Sequence, residues 1–216
     1  MNKLFDINSP LMQKLSQLPD LIVLNILWVV CSLPIVTIGA STTALHAVIQ
    51  RYVSGEENGI VKPFFRAFRK NFKQSTLLWI PVLLLVIMLI VDLMYLLSNG
   101  TGAQLLLWIP FLILGVITLI VITYGFPLIA RYENTTKTVI SNSFLLFSLH
   151  FLPSLAAMLL NVLPWVLLLL FPNAFLKTSI LWIPIGGSLI AYINNHILLP
   201  IFKKYDVQPT NTNKDE

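Results

Sequence analysis

Charge is scarce in this sequence. Lys, Arg, Asp and Glu together make up 11% of its 216 residues, well under the roughly 25% usual for soluble domains. That scarcity excludes an ordinary water-soluble fold, although the length alone would allow one or two such domains. Cysteine is scarcer still. Cys31 stands alone, which excludes an internal disulfide and any metal site built from several cysteines. Set in an apolar stretch, it reads as a small buried hydrophobe. Enzyme signatures are also missing. The chain has no phosphate-cradling glycine loop, no HExxH, no paired intramembrane aspartates and no serine–histidine–acid arrangement. The expectation is a protein that is not an enzyme, with no catalytic residue, cofactor site or metal site to assign.

Apolar residues are what the chain has in abundance, at 56% of the total and a mean hydropathy of +0.82. A membrane span needs about 20 mainly apolar residues. Segments 21–49, 77–97, 105–130, 149–171 and 180–202 meet that need. They predict an all-α, polytopic transmembrane helix bundle of five spans, a single integral membrane domain over residues 1–216. The first run is interrupted by Ser32-Leu33-Pro34 and then Gly39, which predicts a kink. A re-entrant segment is the alternative. Acids at Asp6 and Asp20, with no compact cleavage-site design, mark this run as a retained span and not a signal peptide.

Basic residues set the orientation. The formal charge is +5, and in a membrane protein such an excess collects in cytoplasmic loops. No run of base-stacking aromatics accompanies it, so nucleic acid is not an expected partner. Arg51, Lys62, Arg66, Arg69, Lys70 and Lys73 follow the first run, Arg131 and Lys137 follow the third, and Lys203-Lys204 close the fifth. The intervening loops hold only Lys177. This pattern predicts a bacterial cytoplasmic membrane protein with loop 51–76 and the C-terminus in the cytoplasm. The N-terminus falls outside, with Lys3 and Lys14 against the trend.

The third and fifth spans share their boundary marks. Leu107-Trp108-Ile109-Pro110 recurs as Leu181-Trp182-Ile183-Pro184, and Pro127 to Tyr132 recurs as Pro200 to Tyr205. Either membrane boundaries reuse one set of anchors, or a helical hairpin is repeated in parallel orientation.

The most distinctive stretch follows Gly59. Phe64, Phe65, Phe68 and Phe72 recur at helical spacing, while Arg66, Arg69, Lys70 and Lys73 fill the remainder. Pro63 suits a first helical turn. The expectation is a cytoplasmic amphipathic helix over about residues 63–75, lying at the headgroup level with its rings in the bilayer. It either enforces topology or docks a partner. This stretch, together with the run from Ser32 to Leu45, resembles the YesL family of small bacterial membrane proteins of unknown function. The resemblance implies a gene set beside carbohydrate importers and polysaccharide-degrading enzymes. It therefore implies importer subunits or a sensor protein as partners, and it assigns no catalytic residue.

Ionisable groups within a bilayer are costly and become functional candidates by default. Asp92 lies near the outer end of the second span, where it either reaches water or serves as a proton or cation site. Asn194, Asn195 and His196 form the densest polar group, in the fifth span. Interhelical hydrogen bonds explain such a group without a ligand. His46, His150 and His196 are expected at similar depth, yet none pairs with another at helical spacing. Two function classes follow. One is an accessory or regulatory protein of carbohydrate uptake, acting through contacts in the membrane. The other is a small transporter or channel, able to form a homo-oligomer, that uses Asp92 and the Asn194–His196 group.

Overall fold

The computed structural model describes residues 18–56, 59–99 and 108–206. Among them, all regular structure is helical: α1 (Leu18–Ser32), a single 3₁₀ turn (Ile35–Thr37), α2 (Ile38–Val53), α3 (Val61–Asn99), α4 (Trp108–Arg131), α5 (Thr136–Leu149), α6 (Phe151–Leu170) and α7 (Pro172–Lys203). Regions within α3, α4, α6 and α7 are long and apolar enough to cross a membrane. The protein is therefore a multi-pass helical bundle with four candidate spans in place of the expected five.

The missing span is the first. Residues 21–49 do not form one kinked crossing; they form α1 and α2, of 15 and 16 residues, each about 22–24 Å long at a rise of ~1.5 Å per residue. The two helices run back along each other. Trp28 Nε1 donates to Thr42 Oγ1 at 3.2 Å and Ser41 Oγ to the Trp28 carbonyl at 2.9 Å. At the open end Tyr52 Oη donates to Asp20 Oδ2 at 3.1 Å. Pro34 carries no N–H and crowds the turn before it, so the chain reverses at Leu33-Pro34 instead of bending through it.

Backbone groups freed by a reversal must find partners where no water reaches. Here they do. The Thr37 hydroxyl lies 2.6 Å from the Cys31 carbonyl and 2.7 Å from that of Pro34. Thr37 N donates to the Pro34 carbonyl at 2.8 Å, and Trp79 Nε1 to that of Ile35, also at 2.8 Å. Leu33, Ile35 and Val36 point outward at the tip, an apolar surface suited to lipid.

Glycines let the hairpin seat closely. A side chain on Gly39 would meet the Ser75 carbonyl and Trp79 Cβ, each at 2.6 Å, and one on Gly187 would meet Asn25 and Trp28 at 2.9 Å. The first contact fixes α2 against α3; the second fixes α1 against α7. Thr43 and Ser75 complete the first seam with a hydroxyl–hydroxyl bond at 2.8 Å.

A second difference concerns residues 63–75. No boundary separates an interfacial helix from the next span, because α3 runs unbroken for 39 residues. Most of the aromatic face meets protein. Phe64 is fully buried among Leu24, Ala44, Leu45, Val48 and Ile49 of the hairpin, and Phe68 packs against the same cluster.

The short helix at the bundle's end is α5 instead. Near its start, Gln74 Nε2 donates to the Asn134 carbonyl; at its finish, His150 Nε2 lies 3.0 Å from Tyr205 Oη. These contacts place both ends of α5 where α4 and α7 finish, an end we term the base. Asp20, Tyr52 and Asp206 lie there too. A chain that enters through a hairpin and then makes four crossings begins and ends its described part on one side. The external N-terminus expected from the sequence assumed a full first crossing. Residues 1–17 themselves lie outside the described residues.

Two outcomes are expected. Gly39→Leu should abolish hairpin seating and lower the melting temperature in detergent, with a loss of about 1–3 kcal/mol typical of overpacking; an unchanged melting curve would contradict the contact. In a Cys31→Ala background, cysteines at Leu18, Ser54 and Tyr205 should all react with an impermeant maleimide from one side, and a cysteine at Ser98 from the other. Labelling of Leu18 from the side of Ser98 would restore a five-span topology.

Candidate functional site at the base of the bundle

Three groups of polar side chains meet the criteria for a site: a cationic helix face, a clasp between α4 and the end of α7, and a buried polar belt. The structure separates them.

The cationic face is on α3. Side chains at 66, 69 and 73 are exposed, as is Lys62 one turn earlier. Lys70 turns aside toward α4 and meets Glu133 at 2.5 Å. Among the described residues Lys62, Arg66, Arg69 and Lys73 have no acidic partner. The rings divide differently. Phe64 is buried, Phe68 is half-buried and stacked on it, Phe72 is half-buried and edge-on to Phe68, and Phe65 is 39% exposed. The eight residues expected to dock together thus split into an inner seam of Phe64, Phe68 and Phe72 and an outer stripe of Arg66, Arg69 and Lys73, with Phe65 and Lys70 on the flanks between them.

The clasp joins Arg131, Tyr132 and Asp206. Arg131 donates through Nε and Nη2 to the two oxygens of Asp206, and Tyr132 Oη donates to Asp206 Oδ1 at 2.7 Å. A bidentate pair of this kind fixes geometry as well as charge. The hydrogen bond from Arg131 holds the Asp206 carboxyl below its ordinary value, while desolvation first and then Asp206 push the Tyr132 phenol up to about 12. Beside the clasp is a cavity of about 700 Å³ with apolar walls at Leu128, Leu145 and Phe202. The repeated marks of the third and fifth spans explain this meeting. Both helices end at the base with a basic residue and a tyrosine, and Tyr132 packs edge-on to Phe202.

The buried belt crosses the bundle. Asn194 Nδ2 donates to Asn161 Oδ1 at 2.7 Å, and Asn161 Nδ2 donates to Thr123 Oγ1 at 3.0 Å. Asn195 Nδ2 lies 2.8 Å from His46 Nδ1 and donates to the Ala191 carbonyl at 2.7 Å. Gln50 Nε2 donates to the Pro127 carbonyl at 3.0 Å, and Asn25 Oδ1 accepts from Ser188 N at 2.7 Å. Each bond joins a different pair of helices or caps a backbone group. Such intramembrane hydrogen bonds are worth about 0.6 kcal/mol on average, so their main effect is register.

The Asn194-Asn195-His196 triplet therefore does not converge. Asn194 turns to α6, Asn195 to α2, and His196 faces outward, its ring 4.4 Å from that of Tyr192. Asp92 is far from all three. Ser75 sits at the level of Thr43, and Asp92 lies about 25 Å further along α3 at ~1.5 Å per residue. Its Oδ2 is buried without a hydrogen-bond partner among the described residues. The three histidines are equally dispersed, one buried, one against Tyr205 and one exposed. No group of three or more metal-ligating side chains occurs among the described residues.

Several belt residues escaped the sequence reading, which singled out dense polar letters. The usable signal was periodic. Gly39, Thr43, His46 and Gln50 follow one another by four, three and four residues, a single helical stripe of small and polar groups. Asn25 and Asn161 stand alone in their runs, and no pattern marks them.

One prediction concerns the clasp. Asp206 titrates lower when folded, so its stabilising effect is complete above its ordinary value of 3.8 and is lost progressively as pH falls from there through the lowered one. Asp206→Asn should therefore lower thermal stability at neutral pH and narrow the difference from the parent protein toward pH 3. A difference that stays constant across that window would remove the charge from the account.

Comparison with known proteins locates this architecture only in part. No curated protein matches the chain, and no solved structure does. The residues that carry the resemblance to the YesL family all fall within one matched segment. Residues 21–93, which comprise the hairpin from its first turn and α3 through most of its length, match the family described as protein of unknown function, DUF624.

Proposed function

We propose that this protein is a non-enzymatic accessory component of a bacterial cytoplasmic membrane that supports carbohydrate uptake by contacting membrane partners through the base of its bundle. The base is the cytoplasmic end in this reading. It carries Arg51, Lys62, Arg66, Arg69, Lys70, Lys73, Arg131, Lys137, Lys203 and Lys204, whereas Lys177 is the only basic residue among those described at the other end; basic residues of short loops stay inside.

One observation carries the accessory role. The amino-terminal part of α3 is clamped by the hairpin on its aromatic side and leaves a row of cations free on the side facing away from the bundle. A helix used only as a topological anchor needs its charges near the headgroups; with the base at the cytoplasmic surface, this row continues past them. The link to carbohydrate rests on the family resemblance alone, which places such genes beside importers.

The transporter reading draws on the buried acceptors Asn194 Oδ1 and Asn195 Oδ1, which have no hydrogen-bond partner among the described residues. It is weakened by the separation of Asp92 from that pair.

In-membrane crosslinking and affinity purification from cells grown on a complex polysaccharide decide between them. Importer permease subunits or a sensor protein should be recovered with the parent protein and lost with Arg66→Glu/Arg69→Glu/Lys73→Glu at equal abundance. Recovery of the protein alone, or only as its own oligomer, would reject the accessory reading in favour of transport.

A further inference from the structure

The cations on α3 are arranged, not merely present. Lys62, Arg66, Arg69 and Lys73 are separated by four, three and four residues, the spacing that keeps side chains on one face of a helix. Phe64, Ser75, Leu78 and Val82 mark the buried side of α3, and successive turns of about 100° per residue set the basic stripe almost opposite to it. Lys70 and Gln74 lie on one flank, where they hold Glu133 and Asn134. The half-exposed Phe65 lies on the other.

Depth decides what can cover this stripe. Lys70 and Gln74 meet the residues just beyond the end of α4; with the base as the cytoplasmic end, this level of α3 is the membrane boundary. Lys73 is at that boundary. Lys62 stands about 16 Å further along the helix at ~1.5 Å per residue, beyond the ~8–10 Å over which salt leaves surface charges unscreened. In that placement α3 is continuous with a candidate span, and the stripe rises away from the bilayer instead of lying along it. A flat anionic surface touches its lower end only.

We propose that the occupant of this face is an acidic helical segment of a partner protein, laid along α3 with carboxylates at matching four-three-four spacing. This deepens the accessory reading and rests on it. The chain already shows the chemistry once, in the pair between Lys70 and Glu133. An extended acidic strand, with a period of two residues, meets this stripe only intermittently, whereas a helix shares its repeat. Rows of complementary charge along paired helices set partner choice and orientation in this way.

The test uses the full-length protein in nanodiscs of zwitterionic lipid. The probes are synthetic helical peptides of identical composition, one with glutamates in the four-three-four row and one with them scattered around the helix. The aligned peptide should bind about tenfold more tightly than the scattered one. Arg66→Gln/Arg69→Gln/Lys73→Gln should remove that preference, while Lys70→Gln, off the stripe, should leave it intact. All four positions are exposed, so a circular-dichroism melt matching that of the parent protein shows that the fold survives. Equal affinity for the two peptides would overturn the proposal, leaving nonspecific attraction. Loss of peptide binding in nanodiscs containing phosphatidylglycerol would also overturn it, in favour of anionic lipid. If the peptides fail while the charge-reversed protein still loses its importer partners in cells, the acidic-helix proposal falls and the accessory reading stands. If both fail, both fall.

Discussion

The fold depends on a chain reversal made inside an apolar run. Pro34 denies the helix a donor, and the bilayer supplies no water to replace one. The reversal holds because Thr37 and Trp79 bring donors to the carbonyls around it. Trp79 belongs to α3, so the tip is complete only when α3 is in place. The close approach at Gly39 follows from the same need. Without it, the indole could not reach Ile35, and Phe64 and Phe68 of α3 would lose the hairpin they pack on.

From that seat the rest follows. The hairpin occupies the side of α3 that holds Phe64 and Phe68, which pulls the aromatic face inward and leaves the basic face outward. The other side of the hairpin meets α7 at Gly187, with Asn25 holding the Ser188 N–H. Between these seams the belt of Thr43, His46, Gln50, Asn161, Asn194 and Asn195 fixes which helix faces which. In hydrocarbon the apolar side chains of one helix match lipid as well as they match another helix. Small residues and hydrogen bonds therefore carry the selection, and this bundle uses both.

Much of this was legible in the letters. Composition alone established a membrane protein, and hydropathy placed four of the spans close to where they are. The repeated tryptophan and basic–tyrosine marks implied that α4 and α7 run in the same direction, as they do, since their ends share the clasp at Asp206. The candidate site was legible by composition but not by arrangement. Phe64 and Arg66 are two residues apart, and one lies buried while the other lies free.

Sequence by itself determined the class of fold, the run of basic residues and the positions where the helix could break. Those are properties of composition and of single residues: transfer from water to lipid, fixed proline geometry and the cost of charge. Only the tertiary structure decided whether the break at Pro34 would bend or reverse the chain. Sequence also left open whether the phenylalanines would face lipid or protein, and which asparagine would meet which partner. Each of those outcomes depends on groups supplied by another helix, Trp79 for the turn, the hairpin for the rings and α6 or α2 for the amides. A one-dimensional pattern carries the demand for a partner but not its address.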